Sequence, residues 1–299
     1  MPDLRAGVAL STAARIGFLG DTHGDLEHVL LVSRSMQFRG IQVLVVLGDF
    51  GFVWGGHKWA IGLDKLSRRL AGGDQVLYFV DGNHEDFDRL FRFPVSDDGL
   101  RWIRPNVAHI PRGYRTALAS GRTLAALGGA NSIDIGHRVI GRSVWVEESI
   151  TETDLVTLGH KPAEVLIGHD APLHVPTLDA WLESTEKYWP AAGVQYSAVG
   201  RAMFHRGFLQ VRPKLYLGGH YHRHFDEVVE FASGSDRFVT RVVILEESGS
   251  SIAISQCILD VRTLDLEYVP RHIAHRKTDA QEHQRPGQGK TRPTEGGGS

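Results

Sequence analysis

Five short polar clusters interrupt apolar runs in this 299-residue chain: Gly20-Asp21-Thr22-His23-Gly24, Gly48-Asp49-Phe50-Gly51, Gly82-Asn83-His84-Glu85, Gly168-His169-Asp170 and Gly219-His220-Tyr221-His222. Carboxylate and imidazole are hard and borderline metal donors, and a glycine-flanked turn lets the backbone bring them close together. A single Asp-x-His pair such as Asp21 and His23 can hold one cation at the end of a buried strand, yet such residues also decorate ordinary turns. The weight comes from repetition, because each cluster follows an apolar run.

Those runs define the elements that must position the clusters. Ile16–Leu19, Gln42–Leu47 and Val76–Val80 read as buried strands. Between them, Leu26, Val29, Leu30 and Met36, then Trp59, Leu63, Leu66 and Leu70, recur at helical spacing, closed by Gly40 and by Gly72-Gly73. Alternating strand and helix predicts mostly parallel strands, whose ligand crevice lies beyond their carboxyl ends, so the clusters should converge. Val165–Ile167 and Leu215–Leu217 are further short runs with the same ending.

Between and after these, short alternating stretches at 115–118 and 122–127 predict a hairpin around Ser120-Gly121, and Gly128-Gly129 opens a loop through Asp134, Arg138 and Arg142 to Trp145. Thr151 followed by Asp154 predicts a capped helix. Residues 176–211 read as a helical insertion, and 228–231, 238–245, 252–258 and 263–268 alternate like antiparallel strands expected to complete a second sheet. One domain is thus expected over 15–270, preceded by an N-terminal extension at 1–14 and followed by a disordered tail at 271–299, where apolar residues almost vanish.

Composition excludes several classes. Thirty-three basic against thirty-five acidic residues give a net charge of −2, so no global field favours nucleic acid or an acidic membrane surface. One cysteine, Cys257, precludes an intramolecular disulfide and a cysteine-built zinc site, leaving oxygen and nitrogen to hold any metal. No run approaches the ~20 apolar residues of a membrane span and no leader pattern opens the chain, so a cytoplasmic protein without membrane attachment is expected. Trp54, Trp59, Trp181 and Trp189 are expected to pack in core or rim, and His57, His137, His160, His174 and His205 to be solvated or to cap turns.

The ordered set of five clusters resembles the calcineurin-like metallophosphoesterase superfamily. The resemblance implies an α/β fold, a sandwich of two mixed β-sheets flanked by helices, with two divalent transition-metal ions at the strand ends. Carried over residue by residue, Asp21, His23 and His222 bind one metal, Asn83, His169 and His220 the other, and Asp49 bridges them. Such donors suit Mn²⁺ first, with Fe, Zn²⁺ or Ni²⁺ as alternatives, better than Ca²⁺. The implied reaction is hydrolysis of a phosphomonoester or phosphodiester by a hydroxide activated between the metals, with His84 as general acid to the leaving alkoxide. Glu85, Asp86 or Asp81 is expected to orient the His84 ring.

The second cluster lacks the Asp-Arg pair found in the superfamily's protein Ser/Thr phosphatases. A small-molecule, nucleotide or oligonucleotide ester is therefore the expected substrate and nucleic acid a partner only as substrate; nuclease, protein phosphatase and catalytically silent scaffold are the alternatives. In the 128–149 loop, Arg138, or else Arg142, is a candidate for gripping the phosphate, with Trp145 as a wall. The opposing reading pairs Arg138 with Asp134 structurally and puts Trp145 in the core. Sequence leaves the oligomeric state open.

Overall fold

A computed structural model describes residues 9–268. In chain order the elements are β1 (Arg15–Leu19), α1 (Leu26–Phe38), β2 (Val43–Val46), α2 (His57–Ala71), β3 (Val76–Phe79), α3 (Phe87–Leu90), β4 (Arg101–Arg104), β5 (Val107–His109), β6 (Arg115–Ala117) and β7 (Thr123–Leu127). There follow α4 (Glu152–Leu158), β8 (Val165–Gly168), α5 (Pro176–Thr185), α6 (Ala191–Val211), β9 (Leu215–Gly218), β10 (Phe225–Ser233), β11 (Asp236–Ile244), β12 (Gln256–Asp260) and β13 (Leu266–Tyr268). They form a seven-stranded sheet, β13-β12-β1-β2-β3-β5-β4, and a six-stranded sheet, β10-β11-β9-β8-β7-β6.

Each sheet has a parallel centre and antiparallel edges: β1, β2, β3 and β5 run together in the first, β7, β8, β9 and β11 in the second. Alternate side chains of the central strands serve two layers, which is why these strands read as unbroken apolar runs. Phe18, Val43, Val45, Val76 and Tyr78 meet Leu124, Val165, Ile167 and Leu215 between the sheets. Leu44, Val46, Leu77 and Phe79 face α1 and α2 through Val32, Met36, Leu63 and Leu66. Leu127, Leu166 and Tyr216 face Leu155, Phe204 and Phe208 of α4 and α6. Each fully buried side chain of this size contributes ~1.5–3 kcal/mol, so the four layers are held by their central strands.

Local signals act as expected at several ends. Asp25 caps α1 by accepting from the His28 N–H at 3.0 Å, and Thr151 with Asp154 forms a capping box on α4. The expected hairpin is β6–β7, and the helical insertion is α5 and α6.

Three expectations change. The C-terminal stretches do not all complete the second sheet: β10 and β11 do, whereas β12 and β13 pair with β1 at the edge of the first sheet. The turn at 248–250 belongs to the crossing between sheets, and 252–255 is turn rather than strand. Alternation sets which face a strand buries, but not which sheet recruits it. The short, charged edge strand β4 gave no signal of its own. The N-terminal extension is partly core, since Leu10 is 2 % exposed among the inter-sheet residues. The expected tail at 271–299 lies outside the described residues. Among the described residues no helix is long and apolar enough to cross a membrane.

Candidate functional site

Because the central strands are parallel, the loops after β1, β2, β3, β8 and β9 emerge at one rim and bring all five clusters together. Asp21, His23, Asp49 and His222 offer donor atoms that all lie within 4.8 Å of one another. His23 Nε2 faces His222 Nε2 at 3.0 Å, and His222 Nε2 lies 3.2 Å from Asp21 Oδ2. On the other side of Asp49, His169 Nε2 is 3.5 Å from Asp49 Oδ1 and 3.1 Å from Asn83 Oδ1. The His220 ring completes that half, its centroid 4.9 Å from that of His169.

Such density requires unusual backbone. Four of the eight described non-glycine residues with positive φ are His23, Asp49, His220 and His222, a concentration of strain typical of functional sites. The cluster glycines have an equally local reason. A Cβ at Gly82 would lie 2.1 Å from Asp49 Oδ1, and one at Gly219 2.1 Å from Asp21 Oδ1. Any side chain at either position would displace a carboxylate of the cluster.

Neighbouring groups set how the donors point. His169 Nδ1 lies 2.8 Å from the Leu47 carbonyl, which accepts its N–H and leaves Nε2 facing Asn83 and Asp49. The Asn83 amide nitrogen donates to Ser132 Oγ at 3.0 Å, and Ser132 in turn donates to Glu148 through both its backbone N–H and its hydroxyl. The Asn83 oxygen is thereby turned toward His169.

Asp21 and Asp49 are each 1 % exposed, and two carboxylates so desolvated call for positive charge between them. Burial alone would depress the His169 imidazolium, but Asp49 and Asp21 lift its pKa to about 10. Burial pushes His220 down to about 3, keeping it the neutral imidazole that a metal ligand must be. Buried carboxylate oxygens that attract positive charge, beside imidazoles that give up their proton to a cation, fit divalent transition metals.

His84 sits at the edge of the cluster, its ring centroid 5.1 Å from that of His23 and its backbone N–H donating to Asp49 Oδ1 at 2.7 Å. None of the three expected carboxylates orients its ring. Glu85 accepts from the Phe50 N–H, Asp86 caps α3, and Asp81 binds His109 and Arg112. The partner is instead Arg138, whose Nη2 lies within hydrogen-bonding reach of His84 Nε2. Arg138 also pairs with Asp134 at 2.6 Å and donates to the Ser143 carbonyl, so the ion pair and the site contact coexist.

The other two loop candidates lie elsewhere. Arg142 is exposed and does not line the cleft beside the cluster. Trp145 is 6 % exposed in the core between the first sheet and its helices, edge-on to Trp54 and donating to Asp88 at 3.0 Å, because the loop turns its ring inward.

A family model of calcineurin-like phosphoesterases matches residues 14–224, the span that carries every cluster. The chain belongs to that family. Among solved structures, TT1561 of Thermus thermophilus is 13% identical, with 86% of this chain and 99% of that one covered at a TM-score of 0.50. An archaeal phosphodiesterase is 12% identical over 85% of this chain and 98% of its own, at a TM-score of 0.40. At such identity the likeness to TT1561 is one of fold. No curated protein matches.

Calcineurin-like phosphoesterases use a divalent-metal centre, and among the described residues Asp21, His23, Asp49 and His222 form a cluster compatible with one. Sequence reading missed Ser132 and Glu148, which carry no motif and become neighbours of Asn83 only through the fold of the 128–149 loop. It also placed Trp181, Trp189 and His174 too blandly. All three line the cleft that opens from the cluster beneath α5 and α6. Only the insertion's length hinted at that.

Proposed function

We propose that the chain is a metal-dependent phosphoesterase acting on small-molecule or nucleotide phosphoesters. Asp21, His23 and His222 would hold one divalent transition metal, Mn²⁺ by preference, and Asn83, His169 and His220 a second, with Asp49 available to both. The observation that carries this reading is the convergence of five further side chains, from five loops in all, around the buried carboxylates Asp21 and Asp49. Metals bound there supply Lewis acidity, neutralising phosphoryl oxygens and activating the attacking water.

The chain's own groups do the rest. Arg138 is a donor only, so the nitrogen it faces on a neutral His84 is the acceptor and the proton sits on Nδ1. A phosphate ester in the cleft offers Arg138 a bidentate alternative and brings negative charge beside the ring. Burial first, and the Arg138 charge besides, hold the His84 pKa below the ordinary imidazole value while Asp49 opposes them. Engaging Arg138 on phosphate relieves one depressing charge and favours the imidazolium that a general acid needs. His84 then delivers its proton to the departing alkoxide.

The test is leaving-group dependence in Mn²⁺-reconstituted protein. His84→Asn is expected to keep its metal and lose ~10²–10⁴-fold in kcat for alkyl phosphoesters, and much less for p-nitrophenyl esters, whose leaving group needs no proton. Equal losses for both would assign His84 to positioning. Absence of turnover by the wild type for every ester, with metal bound, would favour a catalytically silent scaffold.

A second expectation concerns the Asn83 support. Ser132→Ala removes the acceptor for the Asn83 amide and frees it to rotate. One of two metal-binding steps in a calorimetric Mn²⁺ titration should weaken ~10–100-fold while the other persists. Unchanged affinities would show that Ser132 serves only the loop.

A further inference from the structure

The cleft beside the cluster is far larger than a phosphoryl group needs. It holds about 640 Å³, within the ~300–1,000 Å³ of pockets that enclose whole organic ligands. Its lining joins Asp49, Asn83, His84, His220 and His222 of the cluster to an apolar set, Leu173, Trp181, Leu182, Trp189, Val194 and Ala198. All six apolar residues come from α5, α6 or the loops that join them to the fold. Trp181 is braced edge-on against Tyr221 at 6.4 Å and tilted against Phe225 at 6.0 Å, so it presents a fixed wall.

The charges of the lining point the same way. Among the described residues no lysine lines the cleft, and the two lining arginines are engaged: Arg138 with Asp134, and Arg201 with Asp179 at 2.6 Å and the Pro172 carbonyl at 2.6 Å. The side chains of Glu183 and Glu186, on exposed residues, add carboxylates at the mouth. A second phosphate there would meet two like charges and no unengaged guanidinium or ammonium among the lining residues, the Arg223 guanidinium lying over the Trp181 ring at 5.9 Å and outside that lining.

We propose that α5 and α6 form the substrate-recognition element, which takes a bulky, apolar, non-anionic substituent of the phosphoester and disfavours substituents bearing further phosphates. This rests on the phosphoesterase reading for what sits at the metal end. Recognition then comes from apolar burial against Trp181, Leu182 and Trp189, while the carboxylates at the mouth screen out polyanions.

The test uses the full chain with Mn²⁺ and three diesters that share the p-nitrophenolate leaving group: methyl, phenyl, and phenyl carrying an added phosphate. The phenyl ester should exceed the methyl ester about 10-fold or more in kcat/KM, the discrimination that apolar burial in a pocket supplies. The phosphorylated ester should fall below the phenyl ester. Trp181→Ala and, at the more exposed position, Trp189→Ala should lower the phenyl-to-methyl ratio, and Glu183→Gln with Glu186→Gln should raise the phosphorylated ester relative to phenyl. Binding of diphenyl and dimethyl phosphate, followed by tryptophan fluorescence, gives a readout that needs no turnover. Turnover without aryl preference in either measurement overturns the recognition role and leaves the phosphoesterase reading standing. Aryl-selective binding without turnover of any ester supports the pocket and removes that reading.

Discussion

Asp49→Asn is expected to deprive the centre of metal and to cost at least the ~10²–10³-fold in kcat/KM that loss of one preorganised electrostatic contact costs. Asp49 touches both halves: its Oδ2 is 3.9 Å from His23 Nδ1, and its Oδ1 is 3.5 Å from His169 Nε2 and accepts from the His84 N–H. Its φ of 47° suits Asn as well as Asp, so the substitution keeps shape and backbone while removing charge. Metal content by elemental analysis should fall, with the metal-free melting temperature changing little. Full metal occupancy and undiminished turnover in Asp49→Asn would sink the two-metal assignment.

The largest stability effect is expected at Arg112. Its guanidinium donates to Asp81 Oδ2 at 2.7 Å and 2.9 Å, to Asp154 at 3.1 Å and to the carbonyls of Glu147, Glu148 and Ser149. It therefore ties the end of β3 to the 128–149 loop and to the cap of α4, and so holds the Glu148 that supports Ser132 and Asn83. Arg112→Ala leaves Asp81, 2 % exposed, with only His109 at 3.1 Å, and should cost ~3–5 kcal/mol, as removal of one partner of a buried pair does. Lysine should rescue little, since one ammonium cannot reach five acceptors.

The pH dependence of this loss has a definite sign. Burial raises the Asp81 pKa, but Arg112 and His109 outweigh it and hold the carboxyl below the ordinary range. A depressed folded pKa gives stability that is present above the unfolded value of ~3.9 and is lost as pH falls below it. In Arg112→Ala desolvation dominates and the folded pKa moves above the unfolded one, so stability is lost as pH rises through that interval. Chemical denaturation at pH 8 and pH 5 should show a larger deficit at pH 8. A deficit that grows toward acid would contradict the buried-pair account.

Much of this protein was legible in its sequence. The apolar runs at 16–19, 43–46, 76–79, 165–167 and 215–217 are buried on both faces, so their composition leaves little alternative to central strands, and the glycines after them mark where the backbone must pass beside a donor. Gly82 and Gly219 show why: a Cβ at either would strike Asp49 or Asp21. Strand direction followed from the intervening helices, and with it the convergence of the clusters.

Tertiary structure alone decided the rest. Which sheet β12 joins depends on β1 having a free edge, a property of the assembled fold and not of residues 256–260. The partner of His84 is Arg138, fifty-four positions away, rather than an adjacent carboxylate, because the 128–149 loop folds back over the β3 end. The same loop turns Trp145 into the core, leaves Arg142 outside and brings Ser132 to Asn83. Local sequence fixes a residue's chemistry and the pitch of its element. Side-chain contacts across a loop are set by the long-range packing that closes it, and a single sequence carries no periodic signal for that.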